Sequence, residues 1–162
     1  MTDHHAPQWR EWRAALASPR MHHAWILAGK KGLGKHDFAF AAARELVAIG
    51  RDAPVAEKDP DIQLLTHLPK DDKEAKKAEK GEAFETKRNI SIDQIRAMQA
   101  RLTTRPTLGA FRAIIIEPAD DLERSAANAL SRVPANTTSK SSYAHLSCAC
   151  SPSSSSMMSS LG

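Results

Sequence analysis

A glycine-rich segment near the start of the chain has the residue types of a phosphate-binding loop. Gly29, Gly34 and Lys35 match the fixed positions of the pattern GxxxxGK, and Gly32 adds a third glycine between them. In such a loop the glycines let successive backbone N–H groups turn toward phosphate oxygens, and the lysine reaches the outer phosphates. The segment therefore predicts a site for the phosphates of ATP or ADP, with a ligand-free glycine turn as the alternative.

The residue after the lysine and the end of a later strand lack the groups that hydrolysis needs. His36 stands where a Ser or Thr hydroxyl would ligate magnesium, and a neutral imidazole is a poor ligand for that oxygen-preferring ion. Glu117 could stand near a metal as a degenerate second acidic motif, but the next residue, Pro118, can neither accept a proton nor orient a water. We therefore expect residues 29–36 to bind nucleotide without hydrolysing it, with no catalytic residue and no bound metal.

Short strands and helices alternate around these residues. The apolar run 24–27 ends at the glycine segment and predicts a buried strand, and apolar side chains recur at four-residue steps in the helix that follows. The other predicted elements are a helix around Trp9, Trp12 and Leu16, a strand within 61–68, a helix after the capping box Ser91–Gln94, a strand 113–116 and a helix 123–130. This alternation predicts an α/β fold with a parallel sheet flanked by helices.

Composition and charge narrow the class of protein. The 162 residues suffice for one domain, and the net charge of +4 allows an acidic or nucleic-acid partner without requiring one. No run approaches the roughly 18 apolar residues of a membrane helix, and the N-terminus lacks the apolar core of a secretory signal, so we expect a cytoplasmic protein without membrane contact. Segment 70–88 carries seven basic and six acidic residues, which predicts a solvated loop or exposed helix rather than a DNA-binding patch.

Three segments together resemble the delta-prime subunits of bacterial DNA polymerase III clamp loaders, which are AAA+ proteins. The resemblance runs from about residue 8 to residue 130 and rests on HHAWILAGKKGLGK, ISIDQIRAMQARLTTRPTLGAFRAIIIEPADDL and ERSAANAL. It implies a P-loop sheet in the order 5-1-4-3-2 and the role of a rigid stator in the complex that places the sliding clamp on primed DNA during DNA replication. The implied partners are the delta and tau/gamma subunits, and a neighbouring subunit would hydrolyse the ATP.

The chain departs from that family in two places. Segment 50–61, GRDAPVAEKDPD, has no cysteine where many members bind zinc, so no zinc is expected. After residue 130 the family sequence gives way to a tail in which roughly a third of the residues are serine, which predicts disorder. We therefore divide the chain into 1–130, the N-terminal part of an AAA+ domain with the charged insertion 70–88, and 131–162, an off-family tail that we ascribe to a reading-frame shift.

This early end of the resemblance affects the sheet. Strands 4 and 5 of the implied order would lie in the missing sequence, so the fold is expected to be incomplete and strand 24–27 to have no neighbour on either side. A backbone group buried without a partner costs about 1–3 kcal/mol, against a domain stability of about 5–15 kcal/mol. The isolated chain is therefore expected to be molten or unstable.

Two other functions remain open from the sequence. A small P-loop ATPase or kinase predicts magnesium-dependent turnover that requires Lys35, whereas a damaged gene copy predicts no function. Neither the adjacent histidines at 4–5 and 22–23 nor Cys148 and Cys150 have the spacing of a metal site or a disulfide framework. Arg96 is interpreted as a solvated arginine, with a contribution to a subunit surface or a DNA-proximal surface as the alternative.

Overall fold

Helices and strands alternate along the chain, as the sequence predicts. The computed structural model describes residues 5–19, 21 and 24–130, together with the backbone of 142–149 and 159–160. The helices in these residues are α1 Ala6–Leu16, α2 Lys35–Ala48, α3 Asp72–Glu79, α4 Ile92–Leu102 and α5 Arg124–Leu130. The strands are β1 Ala24–Ala28, β2 Ile62–Leu65, β3 Phe111–Ile116, β4 Ser142–Ala149 and β5 Ser159–Ser160. No helix among the described residues is both long enough and apolar enough to cross a membrane.

A single sheet joins the five strands of the described residues in the order β2-β3-β4-β1-β5. The first four strands of that order are parallel, and β5 pairs with β1 in the antiparallel sense. Taken from the other edge, this is the order 5-1-4-3-2 that the resemblance implied. Because the parallel strands share one direction, their carboxyl ends meet at one edge of the sheet, where open α/β sheets place their binding sites.

The prediction that β1 has no neighbours is wrong. β4 pairs with all five residues of β1 on one side and with β3 on the other, and β5 pairs with β1 at its far side. Disorder was expected throughout the tail, but 142–149 and 159–160 are strands, and the rest of the tail lies outside the described residues. A signal was present, since Ala144, Leu146 and Cys148 alternate with other residues at the period of a strand.

The helices α1 and α2 cover one face of the sheet. Phe38, Ala42 and Leu46 of α2 are buried, as their four-residue spacing predicts, and they pack with β1 and β3 in one apolar cluster. Trp12 of α1 is fully buried, and its ring meets the ring of Trp25 edge-on at 5.5 Å. This packing fixes the position of α2 against the strand that precedes it.

The opposite face is covered by α4 and α5. Side chains of β3 alternate between the faces, so that Ile114 and Ile116 pack with α4 and α5 while Ile115 packs with α2. The predicted capping box at the start of α4 is confirmed, with Ser91 N donating to Gln94 Oε1 at 3.1 Å. The domain therefore has three layers, with the sheet in the middle.

The charged insertion lies outside these layers. Its helix α3 has no buried residue and is capped by Asp71, whose side chain accepts from the backbone of Lys73 and Glu74. The two stems of the insertion are joined where Lys87 N donates to Leu68 O at 2.8 Å. The solvated helix predicted for 70–88 is thus confirmed at α3.

A buried charge network lies at the amino ends of β2 and β3. The guanidinium of Arg51 lies 2.5 Å from Asp59 Oδ2 and 3.2 Å from Asp61 Oδ2, and all three side chains are at most 1% exposed. Asp61 also accepts from the backbone N–H groups of Thr107 and Leu108, at 2.6 and 2.8 Å. The network therefore ties segment 50–61 to the turn that precedes β3.

Both carboxyl groups of this network have lowered pKa values. The hydrogen bond from Arg51 lowers the pKa of Asp59 against the effect of burial. Burial acts to raise the pKa of Asp61, but the N–H groups of Thr107 and Leu108 and the charge of Arg112 lower it overall. In the folded chain the pKa values of both carboxyl groups lie below the unfolded value of 3.8. The ionised carboxylates therefore stabilise the fold above that pH, and this stabilisation is lost as the pH falls through the pKa values of the folded chain.

We expect Asp61→Asn to lower the free energy of unfolding by about 3–5 kcal/mol, because it leaves Arg51 and Arg112 buried with too little negative charge. The matched control is Glu45→Gln, which breaks the exposed pair between Arg13 and Glu45 and should cost about 0–1 kcal/mol. Urea denaturation at neutral pH measures both values. Equal losses for the two variants would show that the buried network does not stabilise the fold.

We expect a chain that ends at residue 130 to lose the cooperative thermal transition of the full chain, because it leaves β1 without β4 and β5. The near-UV circular dichroism of Trp25, which is buried on β1, should disappear with it. A chain that ends at residue 160 keeps both strands and should melt like the full protein. The role given to β4 is wrong if the chain of 130 residues melts as sharply as the longer ones.

Candidate functional site

The glycine segment forms the loop between the carboxyl end of β1 and the start of α2. Gly32 and Gly34 have φ angles of 86° and 72°, in the left-handed region that residues with a Cβ rarely adopt. Gly34 is also the residue that precedes α2, and its carbonyl accepts from Phe38 N at 3.0 Å. The strand–loop–helix context predicted for residues 29–35 is therefore present.

Lys35 lies inside the curve of this loop. Its Nζ donates to the carbonyl oxygens of Gly29 and Lys30, at 2.8 Å each, and the residue is 9% exposed. These two bonds place the ammonium group between the two ends of the loop. The loop also ends at the amino terminus of α2, where the helix dipole is positive.

His36 and Glu117 meet although 81 residues separate them in the sequence. The Nδ1 atom of His36, in the first turn of α2, lies 2.5 Å from Oε2 of Glu117, which follows the last residue of β3. When Glu117 is ionised its carboxylate only accepts hydrogen bonds, so Nδ1 of the imidazole is then the donor in this contact. The ring of His36 also packs against Phe40 with 4.7 Å between centroids, which fixes its orientation.

The two side chains do not form a magnesium site. Magnesium requires near-octahedral oxygen ligands, and the imidazole supplies nitrogen where a hydroxyl would be needed. Oε2 of Glu117 is bound to that imidazole rather than directed at a cation. Among the described residues, no group of three or more His, Cys, Asp and Glu side chains could hold a metal ion.

His5 is a residue of this site that sequence reasoning discounted. Its ring contacts the ring of Phe38 edge-on with 6.0 Å between centroids, and a Cβ on Gly34 would lie 3.4 Å from its Nε2. His5 therefore covers the junction between the loop and α2. The sequence did contain a signal for this contact. His5 precedes Trp9 by four residues, the spacing of one helical face, and Trp9 packs on the same phenylalanine with 4.5 Å between ring centroids.

A second histidine–carboxylate pair follows the neighbouring strands. His67 Nε2 lies 3.0 Å from Asp121 Oδ2, which joins the segment after β2 to the 3₁₀ turn Ala119–Asp121. Neither residue was singled out from the sequence, because nothing in their spacing predicts that they meet. The pair links two connections of the sheet and lies outside the glycine loop.

The remaining sequence candidates do not join the site. Arg96 is exposed on α4 and lies 3.5 Å from Asp93, as expected for a solvated arginine. Cys148 lies on β4, of which the backbone alone is described. His4, the histidines at 22–23 and Cys150 lie outside the described residues.

Comparison with known proteins agrees with this fold. The family model described as "DNA polymerase III, delta subunit" matches residues 4–133. Among solved structures, the chain is similar to a DNA polymerase III gamma subunit-related protein from Thermotoga maritima, with a TM-score of 0.53 and 18% sequence identity. This similarity covers 88% of the chain and 38% of that protein, and at such low identity it shows the fold alone. None of the curated proteins compared matches the chain.

The family match covers the glycine loop, His36, Glu117 and the segment that ends with α5. It spans most of the chain, and the fold agrees with it independently. The chain therefore belongs to the DNA polymerase III delta subunit family.

Proposed function

We propose that this chain is a delta-prime-type stator of a bacterial clamp loader, the complex that places the sliding clamp on primed DNA. The contact between His36 and Glu117 carries this proposal. In a site built for hydrolysis these two positions would serve the magnesium ion, whereas here they bind each other. A subunit with this site contributes structure to the complex, and the chemistry belongs to its neighbours.

The glycine loop supports nucleotide binding without turnover. The positive φ angles of Gly29, Gly32 and Gly34 and the position of Lys35 within the loop support phosphate binding, and the imidazole of His36 argues against hydrolysis. Pro118 follows Glu117 and cannot activate a water. ATP or ADP bound here would stabilise the domain by mass action rather than be consumed.

Family membership supports the partners. A delta-prime-type subunit would contact the delta and tau/gamma subunits, and through them act on the sliding clamp and primed DNA in the cytoplasm. The rigid three-layer packing of β3 between α2 and α4 supports a scaffold, because the interior of such a domain transmits force without rearranging.

A small P-loop ATPase or kinase is the second candidate, and the position of Lys35 in the loop favours it. The nitrogen donor at His36 and the missing general base argue against it. A non-functional product of a frame-shifted gene is the third hypothesis. The gene sequence beyond residue 130 tests it, because another reading frame should then encode the sequence with which the delta-prime family continues.

We expect the purified chain to hydrolyse ATP below about one-hundredth of the ~10 s⁻¹ typical of enzymes, with or without magnesium. The reason is that it lacks both a magnesium ligand after Lys35 and a base after Glu117. Phosphate release by the chain and by its Lys35→Ala variant should be indistinguishable. Magnesium-dependent release that disappears in Lys35→Ala would establish the ATPase or kinase instead.

We expect the full chain to enter a complex with the delta and tau/gamma subunits of the same organism, measured by size-exclusion chromatography with multi-angle light scattering. Lys35→Ala should enter equally well, because a stator does not need turnover in its own loop. The complex should load the clamp on primed DNA, and omission of this chain should prevent loading. Failure of the folded chain to join the complex contradicts the stator proposal.

A further inference from the structure

We infer that the glycine loop binds nucleoside di- and triphosphates without magnesium. This inference rests on the proposed nucleotide binding and adds the ionic form of the ligand. It follows from a disagreement between the fold, which implies a magnesium–nucleotide site, and the side chains His36 and Glu117, which do not fit that ion.

The contact between His36 and Glu117 leaves neither side chain as the ligand that a magnesium ion would be expected to have at these two positions. When Glu117 is ionised, His36 Nδ1 carries the proton that Glu117 Oε2 accepts, so this nitrogen has no lone pair for a metal. Phe40 packs on the imidazole and holds the ring in this orientation. A magnesium ion that entered with the nucleotide would therefore lose protein ligands that it has in hydrolysing sites.

The loop supplies positive charge of its own. Lys30 and Lys31 occupy variable positions of the pattern and are exposed, and Lys35 lies within the curve of the loop. Together with the positive end of α2, these three ammonium groups can offset phosphate charge that magnesium would otherwise neutralise. The negative groups beside the loop are Asp37, in the first turn of α2, and Glu117, which contacts His36.

His36 also shields the phosphates from Glu117. An unpaired carboxylate beside a polyphosphate would repel it, because like charges at short range disfavour each other. The hydrogen bond from the imidazole draws that carboxylate into a local pair and leaves the lysines as the dominant charges of the loop.

The experiment compares binding of ADP and ATP to the full chain in excess magnesium and in EDTA, by isothermal titration calorimetry. Wild type should bind each nucleotide at least as tightly in EDTA as in magnesium, and the two Kd values should differ by no more than about twofold. His36→Ser restores an oxygen ligand and should make binding at least about tenfold tighter with magnesium than with EDTA. His67→Ser, the matched control, removes the histidine of the other pair, outside the loop, and should behave like wild type.

Lys35→Ala should weaken binding about tenfold or more in both conditions, which assigns the signal to the loop. Circular dichroism checks the fold of each variant, and His36→Thr, which supplies the same hydroxyl ligand, replaces His36→Ser if that variant does not fold. Wild-type binding that requires magnesium overturns the inference, and so does the absence of nucleotide binding. Entry into the clamp-loader complex is measured separately, so either result leaves the stator proposal to its own test.

Discussion

The backbone hydrogen bonds of β4 to β1 and to β3 are the constraint on which the sheet and its site depend. β1 and β3 do not pair with each other, so β4 sets their separation at two strand spacings, about 10 Å. The glycine loop leaves one of these strands and Glu117 follows the other. His36, the second residue of α2, extends across this gap to the carboxylate of Glu117. Without β4, the two halves of the site would have no fixed relation.

The amino ends and the carboxyl ends of the parallel strands differ in the burial of their charged groups. At the amino ends of β2 and β3, Arg51, Asp59, Asp61 and Arg112 form a buried network that joins segment 50–61 to the turn before β3. Every carboxylate there has a cationic partner, which is the condition under which buried charge is tolerated. At the carboxyl ends, the histidine–carboxylate pairs are partly exposed and face the loops. The network at the amino ends is therefore buried, whereas the pairs at the carboxyl ends are in part open to solvent.

A stator has different requirements from an ATPase. In the proposed function it keeps its shape while neighbouring subunits change theirs, and the packing of α2 and α4 on opposite faces of β3 supports that role. It needs no water-activating base and no cation in its own loop. In the proposed function His36, Glu117 and Pro118 stand at the positions that such groups would occupy. Nucleotide bound in this way would strengthen the contact between β1, the loop and α2.

Local sequence determined the parts of this protein that depend on near neighbours in the chain. The glycines and Lys35 predicted the loop, the spacing of Phe38, Ala42 and Leu46 predicted the buried face of α2, and Ser91 with Gln94 predicted the start of α4. These inferences succeeded because turns, caps and helix faces are set by residues within a few positions of each other.

Tertiary structure alone decided which distant residues meet. The contact of His36 with Glu117, the position of His5 over the loop and the network of Asp61 with Arg51 and Arg112 all join separate elements. The largest difference concerns β4, whose serine-rich surroundings predicted disorder although the gap between β1 and β3 provides backbone partners on both sides. A strand in the middle of a sheet takes its stability from its neighbours' N–H and C=O groups, and composition does not contain that information.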